Sequence, residues 1–186
     1  MSIGTPPQTM NRQQTLAENV RCTKGFLTRF LAGFDDTTRT AQADNLPNHV
    51  IWSLGHCAMT MHRVAERFDG RPIPESDFVR GDGTQGSGQQ YDTETVCLGS
   101  EPADNPELYP LLDRGKAVFE RACDRLAQCI LDAPEAKLDE PQDWHGGPIP
   151  LWMLVMRVCF HNGTHAGQIT DLRRALKMDT VIVPSR

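Results

Sequence analysis

Apolar residues recur at alternating steps of three and four along four separate stretches of this chain, a spacing that places them on one face of a helix. The first stretch runs from about Thr9 to Gly33, with Leu16, Val20, Leu27, Phe30 and Phe34 in one seam. The second opens at Asn48, a capping residue after Pro47, and carries Val50, Leu54, Cys57, Met61, Val64 and Phe68 until Asp69-Gly70 and Pro72 end it. The third is expected to start at Asn105-Pro106, a cap followed by proline at the first helical position, and to hold Leu108, Leu112, Val118, Phe119, Ala122 and Leu126 before Pro134. The fourth starts near Pro150 and reads Leu151, Val155, Val158, Asn162, His165, Ile169, Leu172 and Leu176 down its seam. Each helix has one face to bury, and 186 residues suit one core. The pattern therefore predicts a single all-α domain over residues 1–186, a four-helix bundle in which 1–8 form a tail. No internal repeat and no convincing sheet is read, although Val181-Ile182-Val183 suits a short extended tail.

The connection from Asp69 to Asp104 is too long for a tight turn and rich in Gly, Gln, Ser, Asp and Thr, so it can return the chain along the whole bundle. Helices two and three would then run parallel. Within it, Gly81-Asp82-Gly83-Thr84-Gln85-Gly86 matches the G-x-G-x-x-G of dinucleotide-binding proteins. That motif works between a buried strand and a helix start, and neither flanks it here, so it reads as loop. The segment from Phe78 to Ser100 is expected to act as a lid over a site.

Several classes of function are excluded by composition. No apolar run approaches the roughly 20 residues that cross a bilayer, and Met1 to Thr9 lacks the pattern of a secretory signal, so a cytoplasmic protein is expected. A net charge of −5 without a basic stripe argues against a nucleic-acid partner. The six cysteines contain no Cys-x-x-Cys pair and five fall in helical patterns, which predicts reduced thiols used as small core residues.

The chemistry lies in His161-Asn162-Gly163-Thr164-His165. Two histidines four apart on a helix project from one face, one turn above the other, and can reach a single ion. Zinc peptidases of the His-Glu-x-x-His type carry a glutamate base where Asn162 stands, so that chemistry is excluded. Di-iron bundles need a repeated Glu-x-x-His, which is absent from the sequence. A mononuclear, histidine-rich site remains, and its third ligand must come from another helix. His49, His56, His62 and His145 are the candidates, and periodicity, which places His56 on the flank of its helix, does not choose among them.

His161-Asn162-Gly163-Thr164-His165-Ala166-Gly167-Gln168-Ile169 resembles the last-helix signature of the DinB/YfiT-like superfamily, and Trp52-Ser53-Leu54-Gly55-His56 resembles its second-helix histidine motif. The likeness extends to the four-helix order and the long crossover. It implies that His56, His161 and His165 hold a divalent metal, zinc or nickel, and that the activity belongs among transferases joining a low-molecular-weight thiol to a small electrophile. A metal-dependent hydrolase and a non-catalytic, metal-braced scaffold or sensor are the alternatives. Ala166 departs from the arginine of many relatives, and the 78–100 loop matches nothing in them. Around the expected triad, Asn48, His49, Arg63 and Gln168 are candidates to orient rings or bind a substrate carboxylate, and Trp52, Met59 and Trp152 to line an apolar pocket for a small molecule. A homodimer is possible, and the sequence does not decide whether the broad apolar surface of helix two makes it.

Overall fold

A computed structural model of the chain describes residues 9–78, 91–144 and 146–182. It is mostly helical: α1 (Arg12–Arg29), α2 (Val50–Asp69), α3 (Glu75–Phe78), α4 (Leu112–Asp132) and α5 (Leu151–Ala175). Four of these are long and correspond to the four periodic stretches, while α3 is a single turn in the long connection. A minimal antiparallel pair, β1 (Pro141–Gln142) with β2 (Ile149–Pro150), closes the turn before α5. The expected tail up to Thr9, the G-x-G-x-x-G segment, His145 and Val183 lie wholly or mostly outside the described residues. Val181 and Ile182 form no strand. No helix among the described residues is long and apolar enough to cross a membrane.

Helix starts are decided by which side chain reaches a free backbone N–H. Asn11 caps α1 in a reciprocal box with Gln14, at 2.8 and 2.9 Å, so α1 begins inside the stretch expected from Thr9. It ends at Arg29 because the chain then tightens into turns that finish at Gly33, whose φ of +85° suits glycine. At the second helix the cap is His49 and not Asn48: its Nδ1 accepts the Trp52 N–H at 3.1 Å. The third helix also starts later than expected. Asn105 caps only a 3-10 turn, Pro106–Leu108, because Pro110 supplies no N–H and forces Tyr109 into an extended conformation. α4 then begins at Leu112, whose N–H is taken by the Asp36 carboxylate at 2.8 Å. Buried Arg39 holds that junction by donating to the carbonyls of Pro106, Tyr109 and Pro110 at 2.6–3.3 Å.

α2 packs most extensively on α4, and both α1 and α2 contact α4 and α5. The starts of α2 and α4 lie together, since Ile51 fills the space where Gly115 has no side chain. Their far ends meet where Arg125 grips Asp69 at 2.9 and 3.1 Å, so the two helices run in the same direction. α5 runs against α2, with Gln168 near Asn48. It runs along α1, and Arg173 at its end donates to the carbonyls of Phe30 and Ala32 that terminate that helix. The apolar breadth of α2, a candidate surface for a second copy, is spent internally: every residue from Val50 to Met59 is buried.

Candidate metal centre

α2 and α5 bring three imidazoles together. His56 Nε2 lies 3.0 Å from His161 Nε2, and His165 Nε2 lies 3.2 Å from the same atom. His56 and His165 are buried, whereas His161 is half-buried and forms the solvent side of the cluster. The i, i+4 spacing on α5 stacks His161 and His165 one turn apart, and antiparallel α2 supplies the third ring from across the interface.

The far side of each buried ring fixes which nitrogen is free. Val96 offers a backbone carbonyl 2.6 Å from His56 Nδ1, and a carbonyl can only accept, so the proton sits on Nδ1 and the Nε2 lone pair faces inward. His165 Nδ1 lies 2.8 Å from Gln168 Oε1, which imposes the same tautomer. Two lone pairs therefore point at His161 Nε2, which can carry one hydrogen at most. At least one of the two close contacts sets lone pair against lone pair unless a cation lies between.

That cation is not a proton at neutral pH. Burial lowers the pKa of all three rings, to about 4 for His161 and about 3 for His165, where the neighbouring histidines add to the shift. Neutral imidazoles with inward lone pairs are the ligand state that a metal requires. Tetrahedral donors at the zinc–nitrogen distance of 2.0–2.1 Å stand about 3.3 Å apart, close to the two separations found. The residues present fit a divalent metal.

Trp52 stacks on His56, with centroids 4.7 Å apart and planes within 9°. It presents its edge region to His165 at 6.0 Å. Its own Nε1–H is tied to Thr95 O at 3.1 Å and Ser100 Oγ at 3.0 Å. The described part of the expected lid, 91–100, is thus docked on α2 and supplies the carbonyl behind His56. It can dock because Gly55 lacks a side chain: a Cβ there would stand 2.7 Å from the Tyr91 ring and 3.0 Å from Val96.

Of the remaining expected site residues, Gln168 touches His165, and Asn48 reaches Gln168 at 3.4 Å. His49 is the buried cap of α2, edge-on to Tyr109 at 4.5 Å, with burial lowering its pKa to about 4. Met59 is enclosed in the core, and Arg63 is exposed one helical side away from its buried neighbours. Trp152 sits nine residues before His161 on α5, about 13 Å along the axis. His62 is engaged elsewhere, with its Nε2 3.1 Å from buried Asp77 and its Nδ1 3.3 Å from Arg125. Val96 and Thr95 were not legible as site residues, because a backbone carbonyl has no side-chain signature, and Ser100, whose Oγ accepts from Trp52, reads in the sequence as one more polar loop residue. The signal that could have pointed to them is the Asp92-Thr93-Glu94-Thr95 turn, in which Asp92 Oδ1 accepts from the N–H of Glu94 and Thr95.

The sequence profile of the DinB superfamily matches residues 23–169, a span that includes all three histidines. The chain belongs to the DinB superfamily. Among solved structures it is similar to a conserved protein from Enterococcus faecalis, at 14% identity and a TM-score of 0.71, over 91% of this chain and 99% of that one. Identity that low establishes a shared fold and nothing about activity. No curated protein matches the sequence.

Proposed function

We propose that this DinB-superfamily protein is a metal-dependent transferase that activates a low-molecular-weight thiol for attack on a small electrophile, with zinc or nickel held by His56, His161 and His165. Its four long helices then make a four-helix bundle of the DinB type, in which the chain between α2 and α4 is the crossover. The observation that carries this reading is the convergence of three Nε2 atoms on one half-open point, with the tautomers of His56 and His165 set by their partners. Among the described residues no fourth His, Cys, Asp or Glu donor joins the three, which is the donor count of a catalytic site with a position left for an exchangeable ligand.

A divalent ion bound there would lower the pKa of a coordinated thiol so that the thiolate forms at neutral pH. The protein's own groups do the rest. Val96 and Gln168 retain the protons on the Nδ1 atoms, which keeps the Nε2 atoms of His56 and His165 as donors. Trp52 lies over the His56 ring and excludes water from that side. His161 marks the open edge, where a thiol can enter and its proton can leave to solvent. Asn162 stands where a hydrolytic histidine motif carries a carboxylate base, and an amide accepts no proton; this weighs for the thiol over hydrolysis.

The test compares metal-loaded with metal-free protein in a reaction of several cellular thiols with a reactive electrophile, corrected for the spontaneous rate. A metal-dependent rate with at least one thiol is expected. Hydrolysis of an ester or amide without any thiol-dependent rate would replace the reading with the hydrolase. If both assays stay flat while metal removal lowers the melting temperature, the ion only braces α2 against α5.

A further inference from the structure

Asn162 lies in the buried seam of α5 and has no exposed surface. Its neighbours one turn before and after it on that helix, Val158, Cys159, His165 and Ala166, are buried too, and three of them are apolar. The place suits an apolar side chain. A buried amide is unfavourable unless both of its ends find partners, and among the described residues Asn162 Nδ2 has none. Core packing therefore does not account for an asparagine here, and its oxygen does. Asn162 Oδ1 lies 3.4 Å from His161 Nδ1, a long contact for an N–H···O bond but the one partner that this outer nitrogen has among the described residues. It completes a set. The Val96 carbonyl stands behind His56, the Gln168 amide oxygen behind His165 and the Asn162 amide oxygen behind His161, so each ring meets one oxygen at Nδ1 and turns Nε2 to the common point.

We propose that Asn162 is a positioning residue of the metal centre: its amide oxygen accepts the Nδ1 proton of His161 and so keeps the Nε2 lone pair of the ligand on the open side directed at the ion. The orientation of the amide decides the outcome. Reversed, it would present Nδ2–H to an Nδ1 lone pair, and the His161 proton would sit on Nε2, where it blocks a bond to metal. His161 depends on such a partner because it is the half-buried ring. Without Asn162, water would take its Nδ1–H and the ring would be free to turn, whereas His56 and His165 are buried and held at 2.6 and 2.8 Å. The role rests on the three-histidine metal centre and does not depend on the reaction that the ion serves.

Asn162→Leu tests it, since the variant keeps the size of the side chain and removes both amide atoms. Zinc titration of the metal-stripped variant should show affinity lowered about 10–100-fold. The urea midpoint of the metal-free variant should stay at the wild-type value or rise, because the unpaired Nδ2 is removed as well. Asn162→Asp, which retains an acceptor oxygen, should bind zinc within a few-fold of wild type. In zinc-loaded wild type the Nδ1–H of His161, assigned by heteronuclear NMR, should exchange slowly with water, and in Asn162→Leu it should exchange too fast to be seen. Wild-type zinc affinity in Asn162→Leu overturns the proposal and leaves the metal centre standing. So does a fast-exchanging His161 Nδ1–H in the zinc-loaded wild type, a result that requires no variant to fold. Affinity and urea midpoint that fall together in Asn162→Leu, without recovery of affinity in Asn162→Asp, would make Asn162 a packing residue. A wild type that binds no zinc removes the metal centre, and this role with it.

Discussion

Replacing Gly55 with alanine should damage the metal centre from a position that touches no ligand nitrogen. The new Cβ would lie 2.7 and 2.9 Å from Tyr91 ring carbons and 3.0 Å from Val96 Cγ1, distances that neither α2 nor the docked 91–100 segment can hold. Tyr91 is enclosed and stacked on Phe78 at 6.0 Å, so the strain is relieved by lifting the segment off α2. Overpacking of this kind costs about 1–3 kcal/mol. Lifting the segment also withdraws the Val96 carbonyl from His56 Nδ1, now at 2.6 Å, and loss of such an orienting partner weakens metal binding by about 10–100-fold. The informative control is Gly115→Ala, whose Cβ would fall 2.2 Å from Ile51 Cδ1 and 3.2 Å from the Tyr91 hydroxyl, so that it overpacks the same core region without meeting Val96. Both variants should lose stability in urea unfolding, and only Gly55→Ala should lose zinc affinity in a competition titration. Equal zinc affinity in Gly55→Ala and wild type, at reduced stability, would show that the carbonyl does not orient the ligand.

Acidification should destabilise the metal-free protein in a defined window. His49 and His165 are buried with pKa values lowered to about 4 and about 3, so the unfolded chain binds more protons, and stability is complete above the unfolded value near 6.5 and falls as pH drops towards 4. The slope should approach about 1.4 kcal/mol per pH unit for each ring, measured as unfolding free energy against pH. Arg173→Met removes the donor to the carbonyls of Phe30, Ala32 and Asp179 and should cost about 2–4 kcal/mol with metal stoichiometry unchanged. Among the cysteines only exposed Cys22 and half-buried Cys97 should react readily with a thiol reagent in the native protein. Burial holds Cys57, Cys123, Cys129 and Cys159 protonated, Cys129 and Cys159 with pKa values near 11, and all six should react after unfolding.

The helices were readable from the sequence because their apolar periodicity is a property of many residues at once. Their ends depended on single contacts that periodicity does not encode. Asn48 looked like the cap of α2, yet the imidazole of His49 takes the Trp52 N–H because that ring is buried at the turn while Asn48 faces Gln168. Pro110 is visible in the sequence and by its chemistry detaches Pro106–Leu108 from α4, a consequence that the Asn105-Pro106 start signal masked. At the site, the His161/His165 pair follows from helical spacing. Its partner does not: periodicity leaves His49, His56 and His62 open along α2 and its cap, the family resemblance points to His56, and the antiparallel placement of α5 brings that ring to the pair. The 91–100 segment was legible as a loop and illegible as part of the centre. Its contributions are a carbonyl from Val96 and a hydrogen-bonded hold on Trp52, and both depend on the Gly55 gap.

Calorimetric titration of metal-stripped protein with zinc decides whether one divalent ion is held by these three rings. One ion per chain is expected, with affinity reduced on the order of 100-fold or more in each of His56→Ala, His161→Ala and His165→Ala. His62→Ala, which instead breaks the contact with Asp77, should bind zinc as wild type does. Absence of saturable binding in the wild type, or binding that survives all three ligand substitutions, would contradict the account.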